Sequence, residues 1–185
     1  MNKMDIFFSR VLSDETLVDC LSQLEYCKWE KLMFNEKVKL FSTIIEEISN
    51  FYPELGTPHF EFVFLEDGSA GEDSVYGTFI NVKMLEDGNH FEILAASLHE
   101  LRHYFQRMAG ELYTEKGIVH EMFTKEEIIA FIENQSISPL YLASNYIERD
   151  DVDKFEYYLQ PIEYDAENFS YEFMKRFSKK FLTDK

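Results

Sequence analysis

The spacing of apolar residues divides the first half of the chain into a helical part and a part with strands. Apolar positions recur every three or four residues over 14–50, which predicts helices there. From about residue 59 they alternate with polar positions, which predicts strands near 59–65 and 75–84. The stretch 66–74 between these strands is acidic and contains glycine, so we interpret it as a loop with solvated carboxylates.

The helical period returns in the second half of the chain. Asn89 and Glu92 have the spacing of an N-cap pair, and Gly110 is the expected C-terminal stop, which together predict a helix over 90–109. A last helix is predicted over 161–181, because a continuous apolar stripe runs along it. The pattern as a whole predicts one α+β domain over 1–185, mostly helical, with a small sheet packed on the helix 90–109. The stripe of the last helix consists of Ile162, Ala166, Phe169, Phe173 and Phe177.

Charge limits the class of partner. The 185 residues include 18 Lys plus Arg against 35 Asp plus Glu, a formal charge of −17. Such a chain is a poor partner for nucleic-acid phosphate or an anionic membrane surface, because both attract basic residues. Neither nucleic acid nor a membrane is therefore expected as a partner, and no segment approaches the roughly twenty apolar residues of a membrane span.

The cysteines and the first residues bear on the compartment. Cys20 and Cys27 lie too far apart along one helix for a disulfide, so we interpret them as reduced core thiols. The apolar run at residues 6–8 is too short for the core of a secretory signal. Together these features predict a cytoplasmic protein.

The helix 90–109 carries the pattern HExxH, formed by His99, Glu100 and His103 with two residues between. Two histidines four residues apart differ by about 40° of rotation and 6 Å of rise, so both imidazoles can reach one metal ion. Glu100 projects from an adjoining angle, which suits a general base that acts on water at the metal without binding the metal itself. The pattern therefore predicts a zinc site, since zinc is the usual ion of HExxH proteins.

A catalytic zinc usually takes three protein ligands and keeps one position for water. The third ligand must come from elsewhere in the chain, and spacing alone leaves several residues open. The candidates are Glu163 and Asp165 at the start of the last helix, His120, and more weakly His90 and His59.

Two sequence blocks resemble a known family. The segment 163–170, EYDAENFS, is similar to the ExxAxxFA pattern that follows HExxH in small zinc peptidases of the ImmA/IrrE-like, or minigluzincin, group. The segment 99–106, HELRHYFQ, also resembles the motif of bacterial and phage-borne members. The resemblance covers residues from about 75 to 175 and implies a zincin-like domain in which Glu163 is the third ligand. A rival resemblance, to SprT-like proteases, would instead use His120, which lies 17 residues after His103.

These observations together predict a zinc metallopeptidase of gluzincin type. The residues His99, His103 and Glu163 are expected to hold Zn²⁺, and Glu100 is expected to take a proton from the attacking water. Asp165 is a candidate acceptor for an imidazole N–H. Candidate stabilisers of the oxyanion are Tyr104, Tyr158, Tyr164 and His120.

The sequence also suggests how a substrate would bind, and it leaves a second function open. A peptide or protein substrate is expected to bind in extended form along the strand 75–84, because an exposed edge strand offers backbone partners. The charge of −17 also suggests another class, an acidic interaction protein that imitates DNA, with a structural metal or none.

Overall fold

The computed structural model describes residues 3–66, 69–87, 89–134 and 160–181. Within these ranges helices surround a small mixed sheet, so the predicted α+β class is confirmed. The elements before and in the sheet are α1 (Lys3–Val11), α2 (Glu15–Ser22), α3 (Tyr26–Trp29), α4 (Phe34–Ser49), β1 (Phe60–Val63), β2 (Gly71–Ser74) and β3 (Gly77–Asn81). The helices after it are α5 (Lys83–Asp87), α6 (His90–Lys116), α7 (125–134) and α8 (Pro161–Phe181).

The helices predicted over 14–50 correspond to α2, α3 and α4. Asp14 caps α2, since its carboxylate accepts a hydrogen bond from the backbone N–H of Leu17 at 2.9 Å. The helix α1 was not predicted, yet it contributes buried aromatic side chains to the core. Phe8 of α1 packs against Phe169 of α8, with ring centroids 5.2 Å apart. The two ends of the described chain therefore share one core.

The sheet differs from the sequence prediction in its strands and their order. The order is β1-β3-β2, with β3 parallel to β1 and antiparallel to β2. The predicted strand 75–84 is shorter as β3, because the Asn81 side chain accepts the backbone N–H of Lys83 at 3.2 Å and the chain turns there into α5. β3 lies in the centre, paired on both sides, so the expectation that a substrate pairs with this strand is wrong.

The interpretation of 66–74 as a loop with solvated carboxylates is wrong for its last four residues, which form β2, although Glu66 and Glu72 are exposed as predicted. The side chain of Asp73 on this strand is only 4% exposed. Its carboxylate accepts hydrogen bonds from the hydroxyl of Thr78 at 2.8 Å and from the guanidinium of Arg107 at 3.2 Å. A neighbouring cation and hydroxyl thus make the burial of this carboxylate possible, and neither partner is adjacent to it in the chain.

The helix α6 begins as predicted and extends further than predicted. The Asn89 side chain accepts the backbone N–H of Glu92 at 3.3 Å, which forms the expected cap. The helix passes through Gly110 and ends at Gly117, whose φ of +68° gives the left-handed conformation typical of a glycine that ends a helix. Gly110 instead allows close packing of α7, since a Cβ there would lie 3.3 Å from Ile132. With 27 residues, α6 is about 40 Å long and reaches both the sheet and α8.

The core lies where α6 meets α8 and α4, and α1 packs against α8. Every residue of the predicted α8 stripe is buried, which confirms the expected face of this helix. The cysteines are free, but Cys20 is half-buried and Cys27 exposed, so they are not core thiols. They belong to different helices, α2 and α3, and the single helix assumed for them does not exist. Among the described helices, none has the length and apolar character needed to cross a membrane.

Candidate metal centre

The two histidines of the HExxH pattern and Glu163 meet where α6 crosses the first turn of α8. His99 and His103 are half-buried on one face of α6, with their Nε2 atoms 3.0 Å apart. The Oε2 atom of Glu163 lies 3.4 Å from the Nε2 of His99 and 3.5 Å from that of His103. The predicted proximity of Glu163 to both imidazoles is thus confirmed, and these three form a group that could hold a metal ion.

The spacing of the three donor atoms fits a zinc ion. A tetrahedral ion about 2.0–2.1 Å from each ligand places its ligand atoms about 3.3 Å apart, and the observed separations run from 3.0 to 3.5 Å. The Oε2 atom of Glu163 is buried and has no hydrogen bond of good geometry in the described part of the protein. A buried carboxylate oxygen without such a bond is costly, and a metal between it and the imidazoles would satisfy it.

In the metal-free protein, His103 and Glu163 shift each other's pKa in opposite directions. Burial alone would lower the pKa of His103, but contact with Glu163 outweighs it and raises that pKa to about 9. Burial would likewise raise the pKa of Glu163, but contacts with His103 and His99 hold it well below its usual range. In the absence of a metal, the carboxylate is therefore ionised and faces a protonated imidazole.

The ring of His103 has a second partner that the sequence analysis did not identify. Its Nδ1 atom lies 2.9 Å from Oε1 of Gln106, a fully buried side chain one turn further along α6. Asp165 was expected to accept an imidazole N–H directly, and this expectation is wrong in its detail. The Asp165 carboxylate accepts instead from the Gln106 amide at 2.7 Å, so the amide stands between carboxylate and ring. The only signal in the sequence is that Gln106 follows His103 by three residues and so shares its helical face.

Arg102, between the two histidines in the sequence, joins α6 to α8. Its guanidinium donates two hydrogen bonds to the Asp165 carboxylate, at 2.7 and 3.0 Å. The same guanidinium lies over the rings of Phe123 and Phe169, 4.2 and 4.9 Å from their centroids. Arg102 is only 3% exposed, so this is a buried ion pair between aromatic rings. No spacing in the chain indicates this pair, since 63 residues separate the partners.

Glu100 lies on the side of α6 that faces the sheet. Its side chain is buried, and a Cβ on Gly71 of β2 would lie 2.7 Å from its Cγ. Burial raises the pKa of Glu100, and the imidazoles of His103 and His99 oppose that rise. A carboxyl group with a raised pKa beside a metal site has the properties required of a general base.

The donor set of this centre and comparisons with known proteins bear on what it could do. No protein-family model matches the chain, and neither a curated protein nor a solved structure matches it significantly. Two imidazole nitrogens and one carboxylate oxygen form a donor set typical of catalytic zinc. A structural zinc site has four protein ligands, and among the described residues no fourth histidine, cysteine or carboxylate belongs to the group.

The other candidate residues from the sequence lie elsewhere. His120 is buried, its Nδ1 accepts the backbone N–H of Met122 at 3.2 Å, and its Nε2 lies 3.9 Å from Glu54. Burial lowers the pKa of His120, which favours the neutral ring. The group of possible metal ligands does not include it.

The other candidate histidines and tyrosines do not belong to the group of possible metal ligands either. His90 is buried against aromatic rings in the core, and His59 lies at the surface beside Glu61. The hydroxyl of Tyr104 donates to the backbone carbonyl of Leu55 at 3.0 Å, which indicates a structural role. Tyr164 is 63% exposed, and Tyr158 lies outside the described residues.

Proposed function

We propose that this protein is a zinc-dependent metallopeptidase of gluzincin type, in which His99, His103 and Glu163 hold the metal and Glu100 is the general base. The observation that carries the proposal is the convergence of three donor atoms at zinc-like spacing beside a buried carboxyl group. The resemblance of residues 99–106 and 163–170 to ImmA/IrrE-like peptidases supports the same assignment. Zinc is preferred to magnesium or calcium because two of the donors are imidazoles.

The chemistry follows from the donor set and from Glu100. His99, His103 and Glu163 would hold the zinc ion, which when bound would lower the pKa of a water molecule towards neutrality and polarise the carbonyl group of the substrate. The Glu100 carboxylate accepts a proton from the attacking water and then donates it to the nitrogen of the departing amine. Its raised pKa suits both steps, because a base is most effective when its pKa lies near the working pH.

The substrate is proposed to bind along β2 in extended form. β2 pairs with β3 on one side only, so it is an outer strand of the described sheet. It also lies against Glu100, since a Cβ added to Gly71 would lie 2.7 Å from the Cγ atom of that side chain. A peptide added to this strand would gain backbone hydrogen bonds next to the general base. We therefore replace β3 by β2 as the proposed docking strand.

Metal analysis and a base variant test this function. The wild-type protein and Glu100→Gln should each contain about one zinc per chain. Residue 100 is not one of the proposed ligands, and the amide keeps the shape of the side chain. Cleavage of a mixed peptide library, followed by mass spectrometry, should fall by about 10²- to 10⁴-fold in Glu100→Gln. His99→Ala should lose most of the zinc, whereas His59→Ala, on an exposed histidine, should change neither property.

Two results would contradict the proposal. Undiminished cleavage by zinc-loaded Glu100→Gln would assign the base to another residue. A wild-type protein that binds no zinc and cleaves no peptide would favour the acidic interaction protein, for which the charge of −17 is the argument.

A further inference from the structure

The buried amide of Gln106 can adopt only one orientation among its neighbours. Its Nε2 atom lies 2.9 Å from the backbone carbonyl oxygen of Ile162 and 2.7 Å from Oδ2 of Asp165. Both partners are acceptors, so both amide hydrogens point towards them. The carbonyl oxygen Oε1 therefore faces His103, and the reversed amide would bring an oxygen against two acceptors.

This orientation determines which nitrogen of His103 carries a proton. Oε1 of Gln106 is only an acceptor and lies 2.9 Å from Nδ1 of His103, so Nδ1 must donate. In a neutral imidazole with the proton on Nδ1, the lone pair is on Nε2, the atom that faces Glu163. We infer that Gln106 is a positioning residue, which keeps His103 in the form whose Nε2 can bind a metal.

The same amide also bears on the placement of Glu163. Its two acceptors, Ile162 and Asp165, lie on either side of Glu163 in the first turn of α8. Asp165 is itself fixed by the two hydrogen bonds from Arg102. Gln106 thus aligns two ligands that come from different helices, since it orients one ring and anchors the turn that carries the carboxylate.

His99 provides a contrast within the same centre. Its Nδ1 lies 3.5 Å from a carboxylate oxygen of Glu167, a side chain that is 62% exposed. Solvent screens such a contact, and an exposed side chain is free to move away. The ring of His103 is therefore held more firmly than the ring of His99. We expect zinc affinity to depend more on Gln106 than on Glu167.

Nuclear magnetic resonance of ¹⁵N-histidine tests this assignment in the metal-free and the zinc-loaded protein. In both, Nδ1 of His103 should carry a proton that exchanges slowly with water. Gln106→Met has a side chain of similar length without donor or acceptor, so slow exchange should be lost. Zinc affinity, measured by competition with a chelator, should fall by about 10- to 100-fold in the same variant.

A matched control separates this role from general loss of stability. Tyr104→Phe removes the hydrogen bond to Leu55 from the same helix and leaves the partners of Gln106 intact. It should keep both the protected Nδ1 proton and the zinc affinity. Glu167→Gln should lower the affinity by less than about threefold, because its contact with His99 is exposed.

The inference rests on the proposed function only in taking zinc as the ion that His103 binds. Its failure can be distinguished from failure of the proposed function. If Gln106→Met keeps the protected Nδ1 proton and wild-type zinc affinity, Gln106 does not position the ring, even where Glu100→Gln abolishes cleavage. If the wild-type protein binds no zinc, the proposed function fails, and the metal-free spectra alone decide whether Gln106 holds the Nδ1 proton.

Discussion

Two arginine–aspartate pairs, each with one buried side chain, attach α6 to two different elements. Arg102 binds Asp165 on α8 at 2.7 Å, whereas Arg107 binds Asp73 on β2 at 3.2 Å. The first pair lies beside the possible metal ligands, through Gln106. The second holds the strand that lies against the proposed base.

The two pairs also differ in how well they could survive the loss of the arginine. Asp165 depends on a guanidinium enclosed by two aromatic rings. Each aspartate keeps one further donor, the Gln106 amide for Asp165 and the Thr78 hydroxyl for Asp73. Burial raises the pKa of the Asp73 carboxyl despite Arg107. Without its arginine, Asp73 can therefore take up a proton more readily. The comparison predicts that metal binding and base positioning can be damaged separately.

The largest effect is expected for Arg102→Met. Removing one partner of a buried pair leaves a buried charge and costs about 3–5 kcal/mol of the free energy of unfolding. Zinc binding should also weaken strongly, because Asp165 anchors Gln106. Urea denaturation and zinc titration measure the two losses. Arg107→Met should lose less stability and keep its zinc, and equal losses in both variants would show that the pairs do not differ as proposed.

The next effect concerns pH and arises from His103, which faces Glu163 of α8. The pKa of His103 is raised from 6.5 to about 9 in the folded protein, so its contribution to stability is complete below pH 6.5 and is lost as the pH rises to about 9. The metal-free protein should therefore lose up to about 3 kcal/mol across this range. His103→Gln should lack this loss, and exposed His59→Gln should retain it. A chelator should accordingly lower the melting temperature more at pH 9 than at pH 6.5.

A smaller effect is expected on the sheet side, for Gly71→Ala. The new Cβ would lie 2.7 Å from Cγ of Glu100 and 2.9 Å from Ile80, so strand and base must separate. Such overpacking costs about 1–3 kcal/mol. Peptide cleavage should fall while zinc content stays at the wild-type level. Gly117→Ala, strained at φ +68° but without close neighbours, is the matched control and should cleave normally. Unchanged cleavage by Gly71→Ala would argue against β2 as the strand beside the base.

The comparison also shows which parts of the site could be predicted from the sequence. His99, Glu100 and His103 follow from one helical spacing, and the approach of Glu163 follows from the apolar stripe that packs α8. The two ion pairs could not be predicted, because their partners lie 63 and 34 residues apart. Gln106 shares a helical face with His103, but its role depends on Asp165, whose position only tertiary packing determines.

The fold shows the same division between local and long-range signals. The cap at Asn89 and the buried face of α8 were predictable from short patterns. β2 was missed because Gly71 and Asp73 are unfavourable in an isolated strand. Contacts with Arg107 and Thr78 stabilise Asp73 there, and the close approach of Glu100 explains the glycine at position 71. Gly110 was taken as a helix end because its close contact with α7 leaves no mark in the local sequence.

The outer position of β2 also affects how copies of this chain meet one another. An outer strand that is proposed to accept a peptide along its open edge could equally accept the same strand of another molecule, which is a route to aggregation. Charged side chains on an outer strand discourage such pairing, and Glu72 of β2 is exposed. The net charge of −17 adds repulsion at longer range. The short acidic strand would thus discourage self-association while leaving its open edge to the proposed peptide.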